Sequence, residues 1–224
     1  ARKLNVRGLI NIQFAVQGAD IYVLEVNPRA SRTIPFVSKA VGVPLAKIAT
    51  KIMLGKKLSE MGYIRDFDLT LTSFNVKMPV FPFHKFPNVD VLLGPEMKST
   101  GEVMGRAELF PAAYAKALLG AGIAIPKSGR ALLSVADMDK HGILEIATEL
   151  LRLGFEIDST PGTHQFLNKY GVHTVLVHKV GQAEINCATQ IASGRYQLVI
   201  NTTDSEKAIH DSFSIRRTAL EKRI

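Results

Sequence analysis

The sequence predicts an α/β protein, in which a first part with a β-hairpin precedes a second part built around a parallel sheet. Two β-rich runs near the amino terminus flank a turn, and after Gly129 strand-like and helix-like segments alternate with short links. Hydrophobic residues make up 46% of the 224 residues and charged residues 21%, proportions typical of a folded globular chain rather than a disordered one.

The first part begins with a hairpin and a helix. Leu9–Val16 and Ile21–Val26 are the hairpin strands, QGAD is the turn between them, and Pro28 ends the second strand. Pro44 opens a helix whose apolar residues recur on one face until Gly55. Further on, the patterns predict an edge strand with a structured loop at 78–95 and a short alanine-rich helix at 112–119.

The pattern of the second part predicts a parallel α/β sheet, because short β-rich runs alternate with amphipathic helical ones. The predicted strands are 130–135, 155–159, 174–178 and 196–201, and the predicted helices are 140–153, 165–170, 185–192 and 206–223. We place the domain boundary in the glycine-rich stretch 120–128, so that the two predicted domains are 1–121 and 122–224.

Charge and composition narrow the classes of partner. The net charge is +8 and the isoelectric point about 9.6, but no dense basic run occurs and tryptophan is absent. Small phosphorylated ligands therefore fit better than nucleic acid. No apolar run reaches the length of a membrane helix, the first residues lack a signal-peptide core, and Cys187 is the only cysteine. We expect a cytoplasmic protein that binds neither nucleic acid nor membrane.

A first group of polar residues lies at the end of the predicted hairpin. Glu25 and Asn27 are two residues apart on a strand and therefore share a face. With the turn centred on Ala19, Gln13 lies opposite Glu25 on that face. One carboxylate and two amide oxygens are hard donors of the kind that Mg²⁺ prefers.

Two arginines follow this group directly along the chain. Arg29 and Arg32 carry guanidinium groups that can pair bidentately with phosphate, so the hairpin end holds the parts that phosphoryl transfer needs. The spacing also fits a second interpretation, in which exposed strand residues and arginines form ordinary surface ion pairs.

A second group of polar residues follows the predicted strands of the second part. They lie at or just beyond the carboxyl ends of these strands, where ligands bind in open α/β sheets. Hydroxyls, helix-start N–H groups and two lysines would suit a phosphate. The group consists of Ser134, Lys140, Thr160, Thr163, Lys179, Asn201 and Thr203. Ordinary helix caps and turn residues are the alternative interpretation.

Longer runs of sequence carry a family resemblance. The stretch NIQFAVQGADIYVLEVNPRASRTIPFVSKAVGVPLAKIA at 11–49 resembles the end of an ATP-grasp domain, and KFPNVDVLLGPEMKSTGEVMG at 85–105 points to the large subunit of carbamoyl phosphate synthetases. GRALLSV, DSTPGTHQFL, VHKV and LVINTT resemble the methylglyoxal-synthase-like (MGS-like) regulatory domain of the same subunit. The resemblance implies an antiparallel-rich α+β end of an ATP-grasp domain, followed by a truncated, Rossmann-like parallel α/β domain.

For the first group, the resemblance implies an ATP-dependent carbon–nitrogen ligase, glutamine-hydrolysing as the full subunit. It would phosphorylate carbamate to carbamoyl phosphate for arginine and pyrimidine biosynthesis. Gln13, Glu25 and Asn27 would hold Mg²⁺ or Mn²⁺, and Gln13 and Glu25 would also bind ATP, which is the substrate. Arg29 and Arg32 would act catalytically on the phosphates or the transferred group, and K⁺ is a further expected cofactor.

For the second group, the resemblance implies an allosteric site for nucleotide monophosphates of the uridylate and inosinate type. Six residues match it by type, namely Lys140, Thr160, Thr163, Lys179, Asn201 and Thr203, and Ser134 also fits. Met78 departs from the glutamate of ornithine-responsive relatives, so an ornithine response is not expected. The implied partners are a small glutaminase subunit, the rest of the large subunit and further copies, in a homo-oligomer of heterodimers.

The resemblance also implies that the chain is part of a longer subunit and is inactive alone, because it begins inside the second ATP-grasp domain. Two rival functions stay open. One is an isolated regulatory module that binds a nucleotide monophosphate without any activity of its own. The other is a methylglyoxal synthase, for which Asp137, Asp139 and Asp158 are the available aspartates.

Overall fold

A computed structural model describes residues 1–63, 71–85, 91–94 and 96–224. They form two compact units: the first unit consists of 1–78 and 103–117, and the second unit consists of 79–102 and 118–224. The glycine-rich stretch 120–128 lies within the second unit, and the domain boundary at 121 stays a prediction. Residues 86–90 and 95 of the predicted proline-rich loop lie outside the described residues.

The described residues of the first half of the chain form an antiparallel hairpin, a second two-stranded sheet and three α-helices. The hairpin joins β1 to β2, and β3 pairs with β4. The bounds are β1 Asn11–Gln17, β2 Asp20–Asn27, α1 Thr33–Val41, α2 Leu45–Met53, β3 Phe74–Val80, β4 Gly101–Ala107 and α3 Phe110–Gly120. The hairpin, α2 and α3 confirm predicted elements. Strand β3 begins at Phe74, four residues before the predicted edge strand, and α1 and β4 lie where the sequence patterns predict none.

The second half is a parallel α/β sheet, which confirms the predicted fold class. The strands run side by side in the order β7-β6-β5-β8, so that β5 and β6 are central. The bounds are β5 Gly129–Ser134, α4 Lys140–Arg152, β6 Phe155–Ser159, α5 Pro161–Lys169, β7 Val175–Leu176, α6 Cys187–Ala192, β8 Leu198–Asn201, α7 Glu206–Asp211 and α8 Phe213–Lys222.

Helix caps explain why several of these bounds differ from the predicted ones. Helix α5 begins at Pro161, four residues earlier than predicted, because proline is favourable at the first position of a helix. Helix α6 begins only after Asn186, whose side chain forms a capping box with Thr189. The predicted last helix divides at Ser212 into α7 and α8.

Both faces of the four-stranded sheet carry a buried core. Ala131 and Leu133 of β5 pack with apolar residues of α4 and α5 on one face. Leu132 lies on the opposite face, where it packs with Cys187 and with residues of α6 and α8. Side chains alternate along a strand, so one short apolar run supplies both cores. Burial raises the pKa of the Cys187 thiol, which is a core side chain.

A buried carboxylate ties the central strands to the segment before β8. Asp158 is 2% exposed, and its oxygens accept hydrogen bonds from Arg130 Nη1 at 2.6 Å, Arg195 Nε at 2.8 Å and the Tyr196 hydroxyl at 2.9 Å. Burial raises the pKa of Tyr196, and the hydrogen bond to Asp158 raises it further. A buried charge needs such partners, because an unpaired one would be strongly destabilising.

We expect Asp158→Asn to lower the free energy of unfolding by about 2–3 kcal/mol, because it removes the charge that two arginines and a buried tyrosine share. The matched control is Glu156→Gln, on the same strand. Glu156 also pairs with Arg130, but its side chain is 66% exposed, so the expected loss is below about 1 kcal/mol. Urea unfolding followed by circular dichroism measures both. Equal losses would show that the buried Asp158 cluster contributes no more to the free energy of unfolding than an exposed ion pair does.

Gly105 of β4 lies where no side chain fits. A Cβ at this position would be 1.9 Å from the Ala113 carbonyl oxygen and 2.6 Å from the Ala117 nitrogen, both in the backbone of α3. The close approach of strand and helix therefore requires a glycine.

We expect Gly105→Ala to lower the urea midpoint by the equivalent of about 2 kcal/mol or more, because backbone atoms must move. In contrast, Gly142→Ala in α4 should raise stability by about 0.5–1 kcal/mol, since no atom beyond its chain neighbours and the backbone of its own helix lies within 4 Å of the added methyl group. An unchanged midpoint for Gly105→Ala would contradict the packing of β4 on α3.

Candidate functional site

The hairpin of the first unit brings together the first group of predicted residues. Its turn is formed by Gly18 and Ala19, and near the turn this spacing would pair Gln13 with Leu24. The register instead shifts by one residue between Phe14 and Gln13, so that Leu24 forms a β-bulge and Gln13 pairs with Glu25. Gln13 thus lies opposite Glu25 as the sequence predicts, but a bulge produces the pairing rather than a turn centred on Ala19.

Glu25 and Asn27 lie on the same face of β2. The Asn27 amide nitrogen Nδ2 donates a hydrogen bond to Glu25 Oε1. Both side chains lie at the open end of the hairpin, where Asn27 pairs with Asn11 of β1. The amide of Asn27 presents its nitrogen to Glu25, so it would have to rotate to offer its oxygen to a cation. The donor types suit a hard divalent ion, and the placement would suit one after that rotation.

Arg29 and Arg32 follow where the chain leaves the sheet. The Arg29 N–H bonds back to the Asn27 carbonyl at 2.8 Å, so the chain turns sharply at Pro28. The exposed guanidinium of Arg29 donates to the Ala30 carbonyl at 3.1 Å, not to Glu25. Arg32 precedes the first residue of α1. Within the described residues, Arg29 therefore does not form the surface ion pair with Glu25 that the alternative interpretation expects.

The second unit contains a cavity of about 410 Å³ at the carboxyl edge of the four-stranded sheet. Four of the seven predicted residues line it, namely Ser134, Lys179, Asn201 and Thr203. They follow three different strands, and they meet because parallel strands end at the same edge.

The buried hydroxyls of Thr160 and Thr163 do not line the cavity but hold its wall. Thr160 donates to Ser134 Oγ at 3.2 Å, and Thr163 Oγ1 accepts from the Val135 N–H at 3.2 Å. On the other side, Thr202 Oγ1 accepts from the Ala136 N–H at 2.9 Å. The loop after β5 is therefore fixed between its two neighbours. Neither hydroxyl caps a helix: Thr160 makes no side-chain cap bond and Thr163 lies within α5, so both side chains serve the end of β5 instead.

Lys140 lies beside the cavity, at the start of α4. Its ammonium is 2.7 Å from Asp137 Oδ1, and a Cβ on Gly162 would be 3.4 Å from it. The ammonium thus lies next to the first turn of α5, whose N-cap residue Thr160 makes no side-chain cap bond. The hydrogen bond from Lys140 holds the pKa of Asp137 below its ordinary value.

Sequence reasoning missed several residues that line the cavity. Asp137, Gln182, Thr202 and Asp204 all contribute to its wall. One signal was available: Asp137 precedes Lys140 by three residues, the spacing of an ion pair on a helical turn. Sequence spacing does not predict Gln182, because its Oε1 accepts a hydrogen bond from the Lys179 N–H only in the loop conformation that the folded protein adopts.

Asp158, one of the three aspartates available to a methylglyoxal synthase, binds Arg130, Arg195 and Tyr196 instead of lining the cavity. Across the described parts of the chain, no three His, Cys, Asp or Glu side chains gather where they could hold a metal ion. The hairpin group has a single carboxylate and is not such a cluster. None of the described helices is long and apolar enough to cross a membrane.

Both halves of the chain match known families. Residues 1–61 match the model described as "Carbamoyl-phosphate synthase L chain, ATP binding domain", and residues 142–224 match the MGS-like domain. The first match contains Gln13, Glu25, Asn27, Arg29 and Arg32. The second contains Thr160, Thr163, Lys179, Asn201 and Thr203, but begins after Ser134 and Lys140.

Three relatives bear the same printed name, "Carbamoyl phosphate synthase large chain". The protein of Myxococcus xanthus is 50% identical over 220 residues, which are 98% of this chain and 20% of that protein. The protein of Vibrio cholerae is 47% identical over 224 residues, and that of Acidobacterium capsulatum 50% over 228, each spanning all of this chain and 21% of the relative. The chain thus spans about a fifth of the length of these relatives. It belongs to the carbamoyl phosphate synthase large-chain family, in which it corresponds to the C-terminal part, with the end of an ATP-binding domain and an MGS-like domain.

Proposed function

We propose that the chain is part of an enzyme that transfers the γ-phosphoryl group of ATP to carbamate and so forms carbamoyl phosphate. The observation that carries the proposal is the end of the hairpin, where Gln13 lies opposite Glu25, Asn27 bonds to Glu25, and Arg29 follows. The similarity of the whole chain to carbamoyl phosphate synthase large chains supports it.

The residues of this group divide between two tasks, metal binding and stabilisation of phosphate charge. Gln13, Glu25 and Asn27 would hold Mg²⁺ or Mn²⁺, which neutralises charge on the phosphates of ATP when bound. Arg29 and Arg32 donate N–H groups to phosphate oxygens and stabilise the charge of the transferring group. A carbamate oxygen attacks the γ-phosphorus directly while the bond from that phosphorus to the β–γ bridging oxygen breaks and ADP leaves, so no protein nucleophile is required. A role for K⁺ stays a prediction.

The second unit would bind a nucleotide monophosphate of the uridylate or inosinate type. The cavity is lined by Ser134, Lys179, Asn201 and Thr203, with Lys140 and the start of α5 beside it. An ammonium group and a helix amino terminus both attract phosphate. Such an effector changes activity only if it binds two states of the enzyme with different affinity.

The enzyme would work as a larger assembly. We propose a glutaminase subunit as the source of ammonia, the rest of the large subunit as the remainder of the ATP site, and a homo-oligomer of heterodimers. The product would serve arginine and pyrimidine biosynthesis in the cytoplasm.

A second candidate is an isolated regulatory module. One observation favours it: the cavity lies within the second unit, whereas most hairpin side chains of the first unit are exposed. Two assays separate the candidates: the full-length protein that contains this sequence is assayed for carbamate-dependent ATP hydrolysis, and the 224-residue chain is titrated with uridylate and inosinate by calorimetry. Nucleotide binding by the chain without hydrolysis by the full-length protein is expected of a regulatory module, and dihydroxyacetone phosphate should yield no methylglyoxal.

Glu25→Gln, made in the full-length protein that contains this sequence, should reduce carbamate phosphorylation by about 10²-fold or more, the scale for a lost electrostatic contact at the reacting group. Nucleotide binding should not change, because the cavity belongs to the other unit. The matched control is Asp20→Asn, which removes an exposed charge from the same strand at the turn. Full activity of Glu25→Gln would exclude the metal role.

Lys179→Ala should weaken the binding of uridylate or inosinate by about 1–3 kcal/mol, the range for a charged hydrogen bond. Calorimetry measures the loss directly. Lys169→Ala is the control, because Lys169 is an exposed lysine on α5 that does not line the cavity. Identical affinities for the two variants would remove Lys179 from the binding site.

A further inference from the structure

The cavity wall contains a carboxylate in a place where an anionic ligand would bind. Asp137 lines the cavity and accepts a hydrogen bond from Lys140 at 2.7 Å. Its side chain is 88% exposed, whereas that of Lys140 is only 19% exposed. Lys140 is therefore largely enclosed by the protein, whereas the Asp137 carboxylate is open to water.

The surroundings of this ion pair are those of a phosphate site. The Lys140 ammonium lies beside Gly162 in the first turn of α5, and the hydroxyl of Thr160 bonds to Ser134 instead of capping that helix. Lys179 acts on Asp137 from across the cavity and, with Lys140, lowers the pKa of its carboxyl. Asp137 thus pairs with one of the two lysines proposed to bind an effector and shares the cavity wall with the other.

We propose that Asp137 is a built-in competitor, whose carboxylate occupies Lys140 in the free protein and must leave it when a phosphate monoester binds. The inference rests on the proposed effector site and adds a determinant of its affinity. Because the pair is exposed on one side and easily hydrated, it can exchange partners without unfolding any element. Asp204, also in the cavity wall, has no such contact with Lys140.

The experiment compares three forms of the 224-residue chain by calorimetry with uridylate: the natural sequence, Asp137→Asn and Asp204→Asn. Both substitutions remove one negative charge from the same cavity, so a general field effect would act on both. We expect Asp137→Asn to bind uridylate about two- to fivefold more tightly, as fits the loss of an exposed ion pair. Asp204→Asn should change the affinity less. Equal effects, or weaker binding by Asp137→Asn, would overturn the inference.

A second measurement separates this inference from the proposed effector site. The carboxyl carbon of Asp137, followed by NMR as a function of pH, should titrate below the ordinary range in the natural sequence and return towards it in Lys140→Met. Saturating uridylate or inorganic phosphate should cause the same return. If neither ligand binds any form, the proposed effector site fails. If a ligand binds and the Asp137 titration does not move, the competitor role fails while the site stands.

Discussion

The hydrogen bonds that hold the loop after β5 determine the shape of the second unit's cavity. Beyond the end of the central strand, the N–H groups of Val135 and Ala136 have no strand partner, and backbone polar groups away from water need one. Thr163 and Thr202 supply the acceptors, one from each neighbouring strand connection. Three strand ends are thereby fixed together, and Ser134 and Asn201, which pair in register, reach the same space.

Within the described residues, the two candidate sites differ in how much buried structure supports them. The four-stranded sheet has a buried core on both faces, so the residues at its edge stand on a rigid base. The hairpin is a two-stranded sheet whose apolar side chains, such as Val16 and Ile21, are largely exposed. Two-stranded sheets are marginal in isolation. The geometry of Glu25 therefore depends on the hairpin register, and the bulge at Leu24 sets that register.

Charge is used differently in the two units. In the second unit the buried carboxylate of Asp158 is satisfied by three donors and links strands, which is a structural task. The carboxylate of Asp137 is exposed and paired with a lysine beside a cavity. The same side chain thus stabilises the fold where water is excluded and can exchange partners where water has access.

Much of the fold could be predicted from the sequence, because local residue patterns determine where many of its strands and helices lie. The alternation of apolar runs with amphipathic segments predicts β5, α4 and β6 within one or two residues, and Pro28 marks the end of β2. Helix α1 could not be predicted in this way, because its residues belong to a stretch that resembles a family motif and has no clear periodic pattern of apolar residues. The start of α6 depends on a capping box, which shifts the bounds by two residues.

By itself the sequence determined which residue types lie at the strand ends and that Glu25 and Asn27 share a face, since both follow from the period of a strand. Only the tertiary structure decided which of the second group line the cavity and which are buried in its wall. Thr160 and Thr203 look alike in sequence, yet one hydroxyl bonds to Ser134 and the other side chain lines the cavity. The physical reason is that burial and hydrogen-bond partners depend on neighbouring strands, which are distant along the chain.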